Sequence, residues 1–226
     1  MSTQEPNGRI VVINPNSSEA VTASIDDALN PLRTAGGPDI DCLTLAEGPP
    51  GIETQCHVDG VVGPMLAHCA ALEDQASAFV VACFSDPGLA ALREQSAQPV
   101  LGIAEAAVLT AMTLGQRFGI ISILRRSIPR HMRYLGALGV MDRLAGDEPL
   151  ELGVLELADE TRTFERLKTV GTSLRDGAGA DVLILGCAGM TAFRGELETT
   201  LGMPVIEPCQ AATAMAIGRV ALQQTR

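Results

Sequence analysis

The chain has 226 residues and carries 27 Asp and Glu against 16 Lys and Arg, a net charge of −11. That length buries the core of one ordinary domain or two small ones, and the acidic balance argues against a phosphate backbone or an anionic membrane surface as partner. No apolar run reaches the roughly 20 residues of a spanning helix, and the start MSTQEPNGR has no signal-peptide pattern, so a cytoplasmic protein with no nucleic-acid or membrane partner is expected.

Taken in chain order, short Val/Ile/Leu-rich runs predict strands at 9–14, 40–45, 78–82, 100–103, 118–123, 150–152, 182–185 and 205–206. Between them lie Ala-rich, helix-periodic stretches at 18–32, 89–96, 104–114, 161–176 and 210–224. Continuous apolar strands alternating with helices predict an α/β fold with parallel sheets covered on both faces. After the first strand, NPNSS reads as a turn with Ser17 or Ser18 as helix cap.

The two halves repeat. AFVVACFSDPG places Cys83 at the end of a predicted strand, DVLILGCAGM does the same for Cys187, and 187 − 83 = 104. PVLGIAEAAVLTAM from Pro99 lines up with PVIEPCQAATAMAI from Pro204, and 204 − 99 = 105. Two landmarks at nearly one offset predict a duplicated unit. Ligands of open parallel sheets bind beyond the carboxyl ends of the strands, so duplication predicts one crevice flanked by two cysteines.

That pairing suits inversion of a carbon centre, which needs a base on one face and an acid on the other. A thiol serves in both roles, with a reference pKa near 8.5 that a cation or a helix start can move. After Cys83, Ser85 or Asp86 is expected to cap a helix with Pro87 in its first turn. After Cys187, the small residues of AGM leave backbone N–H groups open to a ligand oxygen. Singly, a strand-end cysteine in such a chain is core filler; two at matching ends favour chemistry. Cys42, Cys56, Cys69 and Cys209 lack that setting and are expected to be structural.

Other chemistry is not indicated. The chain's single lysine, Lys168, sits in the charged helical stretch TRTFERLKTV, which argues against a pyridoxal Schiff base. No phosphate-binding glycine fingerprint is present. Cys56-His57 and His68-Cys69 match no zinc spacing, and His131, among arginines, reads as a helix-surface residue. Neither a cofactor nor a metal is expected.

These residues resemble the hydantoin and allantoin racemases of the aspartate/glutamate racemase superfamily. The matches are INPNSS (13–18), ACFSDPGL (82–89), RFGIISILRRS (117–127), LGCAGM (185–190) and PVIE (204–207). The resemblance implies two facing α/β lobes related by a pseudo-twofold axis, residues 1–98 with 205–226 and residues 99–204, the last helix returning to the first lobe. It also implies a cofactor-independent two-thiol racemase with Cys83 and Cys187 as the active pair, in a homo-oligomer. Departures from the hydantoin-type pattern are Ser85 in place of the usual aspartate, Ile123 in place of a second threonine (leaving Ser122 as that strand's hydroxyl), and PVIEPC. Phe84 and Ala188-Gly189 stand where amino-acid racemases carry polar side chains, which favours a neutral cyclic ureide over a zwitterion. Asn14, Asn16 and Ser17 are the candidates for the ring's polar edge, with Phe84, Ser85, Ser122, Ala188 and Gly189 completing the expected substrate contacts. The alternatives are an amino-acid racemase, a maleate-type cis–trans isomerase, or a non-catalytic binder on the same scaffold.

Overall fold

The computed structural model describes residues 8–223. Eight strands form two separate four-stranded sheets, and every pairing is parallel. The first contains β1 (Arg9–Asn14), β2 (Asp39–Thr44), β3 (Ala78–Val81) and β4 (Val100–Gly102) in the order β2-β1-β3-β4. The second contains β5 (Phe118–Ser122), β6 (Leu144–Pro149), β7 (Val182–Leu185) and β8 (Val205–Ile206) in the order β6-β5-β7-β8. The two orders correspond strand for strand. β3 and β7, which precede Cys83 and Cys187, hold the same place in each sheet. Both are buried along their whole length, as central strands of covered parallel sheets must be.

The nine α-helices of the described residues are α1 (Glu19–Ala28), α2 (Gln55–Gly60), α3 (Val62–Leu72), α4 (Leu89–Gln95), α5 (Ile103–Leu114), α6 (Ile128–Leu138), α7 (Glu160–Thr172), α8 (Arg194–Leu201) and α9 (Pro208–Gln223). The expected helix at 210–224 starts two residues earlier, and Gln224 lies outside the described residues. Ser18, rather than Ser17, caps α1: its hydroxyl accepts the Val21 N–H at 3.3 Å.

One strand is displaced from its expected place. The apolar run at 150–152 is not β6; the strand is the more polar LAGDEP just before it. β6 is an edge strand and only half-buried, so it carries no continuous apolar run. Leu150 and Leu152 continue beyond it, donating to the carbonyls of Ser122 (2.8 Å) and Ile123 (3.0 Å), and are buried.

The sheet pairings also correct the expected unit boundaries at 98/99 and 204/205. β4 hydrogen-bonds to β3 in the first sheet and β8 to β7 in the second, so the chain crosses between sheets after Gly102 and again after Ile206. Residues 1–7 and 224–226 of the expected units lie outside the described residues. The crossing helices α5 and α9 stand between the sheets. Ile103 and Ala106 of α5 pack with Cys209, Ala212, Ala216 and Val220 of α9 against β1 and β3. Ala104, Ala107, Val108 and Ala111 of α5 pack against Phe118, Ile120, Val182 and Ile184 of the second sheet. Their alanines let the two sheets approach, and the strand ends therefore meet across a narrow gap.

Candidate active site

The gap contains one cavity lined from both halves. From the first come Asn16, Val21, Ile52, Cys83, Phe84 and Ser85; from the second come Ile123, Ser127, Arg130, Val154, Cys187, Ala188 and Gly189. Five of the expected contact residues meet there with one another: Asn16, Phe84 and Ser85 beside Cys83, and Ala188 and Gly189 beside Cys187. The enclosed volume is about 30 Å³, room for about two waters.

The turn after β1 is a small amide cage. Asn14 is fully enclosed and donates from Nδ2 to Asn16 Oδ1 (3.0 Å), Ser18 O (3.2 Å) and Thr22 Oγ1 (3.0 Å). Asn16 Oδ1 also accepts the Ser18 N–H at 2.9 Å. The Asn16 oxygen is thereby occupied, and its NH₂ end is the group offered to the cavity. Asn14 stands behind it and Ser17, whose N–H goes to Pro49 O at 3.0 Å, lies beside it; neither is on the wall. Ser122 is also off the wall. It is fully buried at the end of β5, its hydroxyl bonded to Asp147 and, at 3.2 Å, to His131 Nδ1.

His131 is likewise not a surface residue. It shares the inward stripe of α6 with Leu135 one turn on, only 4% exposed, and its Nδ1 meets Asp147 Oδ2 at 2.7 Å. Its ring stands edge-on to Phe84, with centroids 5.3 Å apart. Serine and aspartate both address Nδ1, whereas a nucleophilic triad needs them on opposite nitrogens. The cluster is a brace behind Phe84.

The cysteines occupy matching turns. The Cys83 carbonyl accepts the Asp86 N–H at 2.9 Å, and the Cys187 carbonyl accepts the Met190 N–H at 3.1 Å. Burial pushes the Cys83 thiol up to about 12, with Cys187 and Asp86 adding to the rise while the Ser85 N–H and the Arg130 cation oppose it. Burial pushes Cys187 up to about 11, opposed by the Gly189 N–H, which points at Sγ from 3.4 Å, and reinforced by Glu53. Both thiols remain partly open to the cavity.

Asp86 departs from expectation. α4 begins at Leu89 behind Gly88 with no side-chain cap. The carboxylate instead reaches 18 residues ahead, accepting the N–H groups of Ala104 (3.0 Å) and Glu105 (2.9 Å) at the start of α5 and the Tyr134 hydroxyl at 2.7 Å. Its backbone is left-handed, φ 41°, a conformation aspartate tolerates better than most. In the second half Glu207 does the equivalent work locally, accepting from Cys209 N (3.0 Å) and Gln210 N (2.6 Å) at the start of α9. The position matching Glu207 in the first half is Gly102 (207 − 105), and a Cβ there would lie 2.2 Å from the Asp86 carboxyl carbon. Each crossing helix is therefore capped by a buried carboxylate, one contributed by the cysteine turn itself.

Sequence reasoning missed three further residues. Arg130 brings a half-buried cation into a cavity expected to be neutral; its only signal was its place one turn beyond Arg126 and Ser127 on α6. Glu53 ties the two halves: one oxygen accepts the Val154 N–H at 3.0 Å and the other pairs with Arg126. Gly51 packs so closely on Val154 that a Cβ would approach it to 2.8 Å. Ile52 and Val154, the residues these contacts hold, form part of the cavity wall, and Val154 is the third residue missed. Among the described residues no three His, Cys, Asp or Glu side chains converge as a metal site, and no helix is long and apolar enough to cross a membrane.

The sequence pattern of the Asp/Glu/hydantoin racemases matches residues 10–216. The chain belongs to that family. The hydantoin racemase of Paenarthrobacter aurescens is 38% identical over 218 residues, covering 95% of this chain and 92% of the relative. That of Rhizobium meliloti is 35% identical, covering 92% and 86%. The solved allantoin racemase from Klebsiella pneumoniae superposes with a TM-score of 0.91 at 32% identity, covering 96% of this chain and 89% of that one. As a member of the Asp/Glu/hydantoin racemase family the chain is an isomerase of the racemase type, with the α/β fold of its relatives.

Proposed function

We propose that the protein racemises 5-substituted hydantoins or a related cyclic ureide such as allantoin, by proton transfer between Cys83 and Cys187. The observation that carries this is the meeting of two strand-end thiols, one from each repeat, on the wall of a single cavity. The names of the full-length relatives support the substrate class.

In this reading one cysteine acts as thiolate and takes the proton from the ring carbon beside the imide carbonyl. The carbon–hydrogen electron pair moves into an enolate, and the second cysteine, still a thiol, returns a proton from the other face. The protonation states of the two sulfurs are thereby exchanged. Asn16 NH₂ supplies a donor for a ring oxygen, while the N–H groups of Ser85 and Gly189 are directed at the two sulfurs and favour their thiolate forms. Mutual repulsion between the sulfurs opposes double ionisation, which favours the one-thiolate state that the cycle needs.

One observation favours a second reading. Arg130 is a cation on the cavity wall, and a carboxylate substrate such as aspartate would pair with it. Solvent deuterium incorporation, followed by NMR on single enantiomers of 5-methyl- and 5-benzylhydantoin, allantoin and aspartate, separates the two. Exchange with loss of rotation on the ring compounds is the expected result. Turnover of aspartate alone would move the protein to the amino-acid racemases, and silence on every compound would refute the racemase reading for these substrates.

A further inference from the structure

The turn that carries Cys83 is gripped from the opposite half. The three residues after the sulfur each meet α6, the helix that follows β5 of the second sheet. Phe84 stands edge-on to His131, Ser85 Oγ accepts from Arg130 Nε at 3.3 Å, and Asp86 accepts the Tyr134 hydroxyl at 2.7 Å. Arg130 and Tyr134 lie one helical turn apart, so they present their side chains to the same stretch of chain. Asp86 is the firmest of the three contacts. It is only 5% exposed and also holds the N–H groups of Ala104 (3.0 Å) and Glu105 (2.9 Å) at the start of α5. Its own N–H returns to the Cys83 carbonyl at 2.9 Å, so the fixed carboxylate and the backbone of the sulfur belong to one closed turn. The left-handed backbone at Asp86 is unfavourable for a residue other than glycine and persists because these donors hold the side chain.

Helix capping alone does not require this arrangement. α9 is capped by Glu207, the residue just before it, and the same place before α5 is Gly102. The Gly102 backbone is extended (φ −96°, ψ 140°) and would accept a side chain, but the Asp86 carboxyl group fills the space. The cap of α5 has thus been moved from the helix start into the cysteine turn. The other cysteine turn has no such anchor: the position matching Asp86 is Met190 (86 + 104), an apolar side chain buried in the core of the second half. That turn meets the opposite half through Thr191, whose Oγ1 lies 2.9 Å from Ser24 Oγ of α1. We propose that Asp86 is the positioning residue for Cys83, bolting the turn behind the sulfur to α5 and, through Tyr134, to α6. The second half thereby aims the sulfur contributed by the first. Asp86 acts through Cys83, and its catalytic meaning rests on the two-thiol reading above.

The test returns the cap to the helix. Asp86→Gly removes cap and bolt together, while Asp86→Gly/Gly102→Glu restores a carboxylate to the start of α5, as Glu207 does for α9, without tying it to the cysteine turn. Each is followed by thermal melting, by iodoacetamide alkylation of the ligand-free protein read separately at Cys83 and Cys187 by peptide mass spectrometry, and by racemisation kinetics. The double variant should regain most of the melting temperature that Asp86→Gly loses. It should still alkylate about tenfold faster at Cys83, with Cys187 unmoved, because only one turn has been freed. Its kcat should stay about tenfold or more below wild type while KM changes by less than about threefold, the mark of a misplaced reacting group. Tyr134→Phe leaves both α5 bonds and the backbone intact; it should raise Cys83 alkylation alone, by about threefold, and it decides the matter by itself if the double variant does not fold. Wild-type alkylation at Cys83 in the double variant, or an equal rise at both sulfurs, would overturn the proposal and leave Asp86 as a helix cap. The alkylation readout needs no substrate, so it stands apart from the racemase reading, which fails separately if wild type exchanges no substrate proton.

Discussion

Asp86 gives the sharpest stability prediction. Burial pushes its carboxyl from the ordinary 3.8 up to about 6, more than its hydrogen bonds from Ala104, Glu105 and Tyr134 pull it down. A folded-state pKa above the unfolded one means that the folded state binds the proton more tightly. The group's contribution is therefore fully present below about pH 4 and is lost as pH rises through about 6. About 2 pKa units correspond to about 3 kcal/mol, a substantial share of the 5–15 kcal/mol typical of a domain. Asp86→Asn removes the titration while keeping the shape and the tolerance for a left-handed backbone. Urea melts of wild type and Asp86→Asn at pH 4, 5, 6 and 7 measure the effect. The wild-type stability minus that of the variant should fall by about 3 kcal/mol across this range, at unchanged denaturant slope. Glu207→Gln should show the same sign in a later window, because burial raises Glu207 to about 7. A difference that stays flat or grows with pH would refute the reasoning, since the helix-capping hydrogen bonds would then outweigh desolvation.

Further predictions concern the site. Glu53→Gln should weaken the tie to Arg126 and Val154; pre-steady-state binding of a bulky hydantoin should speed up while kcat falls severalfold, and unchanged binding and turnover would show that Glu53 does not hold the wall. A chamber of about 300 Å³ shares Val21, Val154 and Gly189 with the cavity and is lined by Leu157, Ala192 and Phe193. If it receives the ring substituent, Ala192→Phe should lower kcat/KM for 5-benzylhydantoin by about tenfold or more while sparing 5-methylhydantoin, as direct assay of both would reveal. Because burial raises both thiols to about 11–12, kcat/KM should climb with pH from 7 to 9 as the thiolate fraction grows. A profile that is flat there would argue against thiolate as base.

The fold was legible where burial leaves a continuous mark. β1, β7 and β8 match their expected bounds residue for residue because each has an apolar core set off by polar or small residues. β6 was misplaced because an edge strand exposes one side, so the apolar residues after it gave the stronger signal. The repeat offset located Cys83 and Cys187 together, since duplication fixes equivalent positions without any knowledge of contacts. What the sequence hid are partnerships across space. Asp86 caps a helix 18 residues away, a pairing produced by the packing of the cysteine turn on α5. His131 looked exposed because its neighbours on α6 are arginines, yet the helix turns that one polar residue inward to Asp147. Arg130 and Glu53 gave little sign of their roles because each acts on the opposite half of the cavity.

The central claim, two thiols working on opposite faces of one carbon, is tested most directly by Cys83→Ser and Cys187→Ser. Each variant is given each enantiomer of a hydantoin that wild type racemises, and deuterium uptake at the ring carbon is followed by NMR. Both variants should lose racemisation, and each should retain slow exchange from one enantiomer only, the two variants preferring opposite hands. Equal residual exchange from both enantiomers in either variant, or racemisation persisting without one of the sulfurs, would contradict the two-thiol account.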